Sequence, residues 1–316
     1  MTRATHFLAG DWGTSHLRLF LCDAGGRVLE RVDGPGVAQV RGPFDALLAA
    51  LLAPWDARHG PLPIVLCGMV GSNIGWAPAP YAPCPAGAPE IIERCLALLA
   101  GRVHIVPGLR CRNRLGSVDF LRGEETQVLG AMRLDPGLGR GRNLLCLPGT
   151  HTKWVILQDA RIAEFLTAPT GEVFALLREH SVLVRGAVLP EDVSQSAAFA
   201  QGLRRLHDLP AAQILHLLFE CRARQIEEHA DGSDAAAYLS GLLVSSDVRG
   251  AMALFADGLP LREVTIVGEP RLARLYAAAL ALESRTSRIL EGANASLAGL
   301  AGVHERLALQ GAPHAA

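Results

Sequence analysis

Two short stretches of this chain repeat one another. Phe7-Leu8-Ala9-Gly10-Asp11-Trp12-Gly13-Thr14-Ser15-His16-Leu17-Arg18-Leu19-Phe20-Leu21 is an apolar run, a Gly-Thr turn and a second apolar run. The stretch from Leu144 to Asp159 has the same form, and its Gly149-Thr150 stands 136 residues after Gly13-Thr14. At that offset Val155-Ile156-Leu157 meets Leu19-Phe20-Leu21, and Asp159 meets Asp23. Each copy predicts two strands joined by a tight turn. One copy per half predicts two similar domains facing each other across a cleft. The copies differ at one chemically important place, where Asp11 of the first becomes Leu147 in the second.

The turns carry the chemistry. Asp11 is a candidate for holding a hydrated Mg²⁺, and Thr14 and Ser15 can donate to phosphate oxygens beside Gly13. A hairpin with Asp and Gly is by itself an ordinary turn, so the weight rests on the repeat. Two opposed Gly-Thr turns make a clamp for a polyphosphate, with Gly13 and Thr14 on one side and Gly149 and Thr150 on the other. Lys153 follows the second turn. It is the one lysine among 30 basic residues, which suggests a local need for a compact ammonium, here to neutralise phosphate charge. Gly268, at the end of the apolar run Val264–Val267, would let a base or ribose approach the backbone.

Composition removes several other classes. The net charge of −1 argues against nucleic acid and against an anionic membrane surface. No apolar run is long enough to span a bilayer, and Asp11 interrupts the N-terminal apolar run before it makes a secretory h-region. Seven scattered cysteines, none in a CxxC pair, fit reduced thiols in a cytoplasmic protein.

Strand and helix patterns alternate along the chain, so the fold class is α/β. Phe7 to Val32 reads as a three-strand meander, and Phe44 to Leu52 as a helix closed by Pro54. Pro63 to Cys67 is a buried strand leading into the Gly-rich run Gly68 to Trp76. Tyr81 to Pro89 is an extended, proline-rich loop, Glu90 to Leu99 a helix, and Arg110 to Asp119 a polar loop. After Gly123 a helix opens with Glu124 and Glu125, which suit the macrodipole and also make a general-base site beside Arg122. Asp135 to Gly141 is the candidate linker, dividing the chain into 1–135 and 140–316. Further helices are expected at Val173–His180, Ser194–Arg205, Pro210–Glu228, Ala235–Ala256, Leu272–Leu282 and Ala295–Leu309.

Paired phosphate turns with a Gly-containing adenosine segment resemble the duplicated, ribonuclease H-like fold of the actin, sugar-kinase and Hsp70 superfamily. The resemblance narrows on five strings, AGDWGT, CGMVGSNIGW, RGEETQ, PGTHTKW and YLSGLL. They occur in the order seen in 2-dehydro-3-deoxygalactonokinases, and the likeness runs from about Phe7 to about Leu300. It implies an actin-like fold with two domains flanking a nucleotide cleft. It also implies ATP and Mg²⁺ as cofactors, a small-molecule sugar acid substrate, and phosphorylation of the 6-hydroxyl of 2-keto-3-deoxygalactonate.

By the same resemblance Asp11 is the metal and catalytic carboxylate. Gly13, Thr14, Gly149, Thr150, Lys153 and Gly268 face the nucleotide. A first-domain carboxylate serves as base, with Glu124 preferred over Glu125 and Asp119. Ser72, Asn73 and Arg122 would hold the sugar acid, while Arg18 is expected in a structural ion pair and Trp12 and Trp76 as packing residues. The adenosine segment departs from the family pattern, reading Val267-Gly268-Glu269-Pro270 with no second Gly or hydroxyl. Alternative readings are a kinase for the gluconate epimer or another sugar acid, a polyphosphate or nucleotide phosphohydrolase, and an actin-like sensor that binds ATP without transfer. A homodimer is compatible with the chain.

Overall fold

A computed structural model of the chain describes residues 6–209, 213–227, 231–255 and 263–310. The chain begins with β1 (His6–Trp12), β2 (His16–Asp23), β3 (Val28–Pro35) and α1 (Phe44–His59). It continues through β4 (Ile64–Cys67), β5 (Tyr81–Pro83), α2 (Ala88–Ile92), β6 (Leu96–Leu98) and β7 (Val103–Ile105). The hairpin β8 (Gly108–Arg112) and β9 (Val118–Leu121) leads into α3 (Glu124–Leu134). Next come β10 (Arg142–Leu147), β11 (Thr152–Gln158), β12 (Arg161–Ala168) and α4 (Thr170–His180). Helices α5 (Ala197–Asp208), α6 (Ile214–Leu217), α7 (Glu220–Glu227) and α8 (Gly232–Phe255) precede β13 (Glu263–Gly268) and α9 (Pro270–Leu282). The described chain closes on β14 (Thr286–Glu291) and α10 (Gly292–Gln310). Of the expected helices, the parts at 210–212, at Glu228 and at Ala256 lie outside the described residues.

The chain forms two compact units. The first holds the described residues up to Gly141, the segment Leu157–Glu164 and the chain from Gly292 onward. The second holds Arg142–Ile156 and Phe165–Glu291. The closing helix, expected in the second half, therefore groups with the first.

The first unit carries a six-stranded sheet ordered β3-β2-β1-β4-β7-β6, and the second a five-stranded sheet ordered β12-β11-β10-β13-β14. β1 is antiparallel to β2 and parallel to β4, and β4 is parallel to β7. β10 is parallel to β13 and β13 to β14. Strand by strand, β1, β2, β3, β4 and β7 correspond to β10, β11, β12, β13 and β14. The repeat in the sequence is a repeat of topology.

Three expectations are corrected. α1 does not end at Pro54 but runs on to His59. The extra turn is held by buried Trp55, by the Arg58–Glu30 pair at 2.7 Å and by the Arg102–Asp56 pair at 2.6 Å, which outweigh the backbone hydrogen bond that proline forgoes. The helix expected over Glu90–Leu99 stops at Ile92, and Leu96–Leu98 instead pairs antiparallel with β7, turning Leu96 and Leu98 onto the core. The polar loop at Arg110–Asp119 is largely the β8–β9 hairpin, whose turn Asn113 fastens by accepting from Leu115 N and Ser117 N at 3.1 Å.

α3 is positioned by α10. A Cβ on Gly130 would collide with Ala295 O, and one on Gly299 with Thr126 O, so the two backbones touch where side chains are missing. In contrast, Gly250 of α8 is exposed and a Cβ there meets nothing within 4 Å. Gly299→Ala is expected to destabilise the protein by about 1–3 kcal/mol through overpacking. Gly250→Ala is expected to stabilise it by about 0.5–1 kcal/mol through helix propensity. Urea denaturation of the two variants checks both signs.

Candidate active site

The first Gly-Thr turn sits between β1 and β2, where Asp11 lies opposite Arg18 on β2 and Cys67 on β4. Asp11 Oδ2 is 3.5 Å from Arg18 Nη2, the structural pair expected for Arg18, and Oδ1 is 4.0 Å from Cys67 Sγ. Burial raises the Asp11 pKa and the Arg18 charge partly offsets it. Trp12 is buried in the core with its Nε1 donating to Pro35 O at 3.1 Å.

The turn is braced from behind. Gly13 N donates to His16 O at 2.9 Å, while Val37 N and Ala38 N donate to Gly13 O and Thr14 O at 3.0 and 3.1 Å. Gly36 makes this possible, because a Cβ there would collide with Thr14 O, the Ser15 carbonyl carbon and His16 N. Gly13 itself has room for a Cβ, whose nearest neighbour would be His16 O at 3.6 Å. The brace leaves Thr14 and Ser15 exposed.

The carboxylates of α3 come to the same corner. Gly68 has φ +91°, and a Cβ on it would stand 3.4 Å from Asp11 Oδ1 and 2.9 Å from Trp12 O. Gly123, with φ +104°, would place a Cβ 3.4 Å from Gly68 Cα. Both glycines take angles that other residues avoid and let three backbone segments converge. α3 begins at once after Gly123. Glu124 is half-buried and accepts from Arg122 N at 3.0 Å. Glu125 is fully buried and accepts from Gly123 N at 2.6 Å and from Thr126 Oγ1 at 3.0 Å. Burial first, and the Glu124 charge second, push Glu125 up to about 8. Two adjacent acids are thereby separated, with Glu125 held neutral near pH 7. Asp119 lies on β9, where it accepts from Phe120 N at 2.8 Å and from Asn113 Nδ2 at 3.2 Å.

The residues expected on the sugar-acid side have mixed placements. Ser72 Oγ donates to Met69 O at 2.7 Å and holds its own turn, whereas Asn73 is exposed. Arg122 turns inward: Nη2 donates to Ala79 O at 2.7 Å, the guanidinium stacks 4.3 Å above the Tyr81 ring, and Nη1 is buried without a partner.

The second turn repeats the brace of the first. Glu172 N donates to Thr150 O at 2.9 Å, and a Cβ on Gly171 would collide with Gly149 O. Beside it lies a pocket of about 300 Å³ bordered by Gly149, Thr150, Thr170, Ser240 and Tyr276, with Phe174, Leu243, Val244, Leu272 and Leu275 among its apolar walls. Gly268 packs on Pro148 of the turn, 3.3 Å from where its Cβ would be. The unusual Glu269-Pro270 pair starts α9, with Glu269 Oε2 accepting from Leu272 N at 2.9 Å. Lys153 is buried, and its Nζ donates to Thr167 Oγ1 at 2.8 Å. By strand alternation it faces away from Thr152 and Trp154, which look toward Asp247.

Asp247 was not singled out from the sequence. It accepts from Thr170 Oγ1 at 2.6 Å and from Trp154 Nε1 and Tyr276 OH at 2.8 Å, and Tyr276 OH also bonds Thr152 Oγ1 at 2.6 Å. Burial raises its pKa, and these donors pull it back. The available signal was an acid within the long apolar run of α8. Among the described residues no group of three or more His, Cys, Asp or Glu is placed to hold a metal, and no helix is long and apolar enough to cross a membrane.

A family model described as 2-keto-3-deoxy-galactonokinase matches residues 11–303. The chain belongs to that family. A probable 2-dehydro-3-deoxygalactonokinase of Rhizobium meliloti is 38% identical over 310 residues, covering 95% of this chain and 97% of the relative. The 2-dehydro-3-deoxygalactonokinase of Escherichia coli is 37% identical over 243 residues, 77% of this chain and 79% of its own length. Among solved structures, a family member from Sinorhizobium meliloti superposes with a TM-score of 0.84 at 36% identity, over 95% of this chain and 99% of that one. A dehydratase activator from Clostridium difficile, solved with bound ADPNP, shares the fold alone, at TM-score 0.53, 12% identity and 96% coverage of each chain. The chain thus has the α/β, actin-like fold that the family resemblance implies.

A neutral Glu125 has a measurable consequence. Its pKa is higher in the folded than in the unfolded chain, so its contribution is full below about 4.5 and fades as pH rises toward about 8. Relative to Glu125→Gln, which copies the neutral carboxyl, the stability of the unsubstituted protein is expected to fall by about 1.4 kcal/mol per pH unit across that window. Urea denaturation of both proteins at pH 5, 6.5 and 8 checks the slope.

Proposed function

We propose that the chain phosphorylates 2-keto-3-deoxygalactonate, transferring the γ-phosphoryl group of ATP to its 6-hydroxyl. The observation that carries this reading is the joint occurrence, in a member of this family, of the Asp11 turn and the α3 carboxylates in one corner of the first unit. Glu124 is the base. It is half-buried and can be reached, whereas Glu125 is enclosed and neutral near pH 7. With Glu125 uncharged, Glu124 has no like charge at its side.

Asp11 suits Mg²⁺. It is a partly exposed oxygen donor paired with Arg18 at 3.5 Å, and Mg²⁺ needs only one or two protein carboxylates when phosphates and water complete its shell. When bound, the ion would neutralise charge on the transferring phosphate. Thr14 and Ser15 offer donors on the first turn, and Gly149 and Thr150 on the second. The apolar pocket beside Gly149 and Thr150 suits an adenosine. Gly268 supports it from beneath the turn, and Lys153 acts by fixing β12 rather than by touching phosphate. On the sugar-acid side Asn73 presents its amide, while Ser72 and Arg122 hold the segments around it.

Sugar-acid-dependent release of ADP, measured with the galactonate and gluconate epimers, tests the reading. ADP release that is independent of either sugar acid would identify a phosphohydrolase instead. Asp11→Asn is expected to lower kcat by about 100-fold or more with an unchanged circular dichroism spectrum. Glu124→Gln is expected to cost about 100- to 10,000-fold. Glu125→Gln should stay within about tenfold of the unsubstituted enzyme, since it preserves a neutral group.

A further inference from the structure

The pocket beside the second turn is almost wholly apolar, so its few polar atoms decide what it can recognise. Four side-chain hydroxyls border it: Thr150, Thr170, Ser240 and Tyr276. Thr150 belongs to the turn itself. Thr170 Oγ1 and Tyr276 OH both donate to Asp247 Oδ2, at 2.6 and 2.8 Å, so their protons point out of the pocket. Ser240 is different. It is 7% exposed, borders the pocket, and its hydroxyl makes no hydrogen bond among the described residues. It stands on α8 one turn before Leu243 and Val244, on the same helix face, within the apolar wall. A hydroxyl that no protein group engages is free to bond a ligand atom that enters the pocket.

We infer that Ser240 is the nucleobase reader of the phosphoryl donor, its hydroxyl bonding a polar edge of the base among the aliphatic walls. The inference rests on the kinase reading above and deepens it. Apolar side chains select a flat ring by shape and leave its edge unread, which leaves base discrimination to this hydroxyl. A hydroxyl both donates and accepts, so it can serve an amino group or a ring nitrogen.

The test is steady-state kinetics of the full chain and of Ser240→Ala with ATP, purine riboside triphosphate, GTP and UTP, at saturating sugar acid. Alanine fits the space and suits a helix interior, and a thermal melt confirms that the variant is folded. The expected result is a KM for ATP raised about five- to tenfold, the scale of one neutral hydrogen bond. kcat and the KM for the sugar acid stay unchanged, and the KM penalty differs from base to base. An equal penalty for all four triphosphates would move the contact to the ribose or phosphates and overturn the inference. An unchanged KM for ATP would overturn it as well. Failure of the kinase reading is separate, because the unsubstituted protein would then release no ADP in response to the sugar acid.

Discussion

Everything at the two Gly-Thr turns depends on one contact, a strand exit laid backbone-on-backbone against the loop. In the first unit the chain leaving β3 does this at Gly36, and in the second the chain leaving β12 does it at Gly171. In each case backbone carbonyls of the turn are taken up by backbone N–H groups from behind, Val37 and Ala38 in one unit and Glu172 in the other. The turn is thereby held by backbone hydrogen bonds from behind. That division of labour suits a phosphate site, which needs fixed donors and unobstructed approach.

The charge arrangement follows from the same economy of space. Asp11, Cys67, Glu124 and Glu125 crowd around the meeting of Gly68 with Gly123. Four ionised groups there would repel one another strongly, and burial resolves the conflict by keeping Glu125 and Cys67 protonated. Asp11 is partly exposed and pairs with Arg18, and Glu124 is half-buried.

Much of this was legible in the sequence. The doubled strand–turn–strand unit foretold a duplicated sheet, and the strand orders match in five positions. The strings AGDWGT and RGEETQ foretold a carboxylate at β1 and a pair opening α3. What was not legible depended on tertiary contact. Pro54 reads as a stop, but Trp55, Asp56 and Arg58 find partners 25 or more residues away and carry α1 onward. Leu96-Ala97-Leu98 fits a helix locally and becomes an edge strand because β7 offers a ladder. The glycines that stood out, Gly13 and Gly149, are not those that the backbone requires; Gly36 and Gly171 are. Lys153 drew notice by its rarity and its place after the second turn, whereas Asp247, which gathers three side-chain donors, sat unremarked in an apolar helix.

The packing of α3 on α10 ties the acid pair to a helix made about 170 residues later. A domain emerging from the ribosome ordinarily folds once its own residues are out. Here the helix that opens with Glu124 and Glu125 lacks its partner until Gly299 has been added, after every strand of the second unit has been made. Translation therefore delivers the second unit complete while the first is still unfinished. Only a nearly full-length chain can become competent for the chemistry, and a truncated product would lack an assembled acid corner.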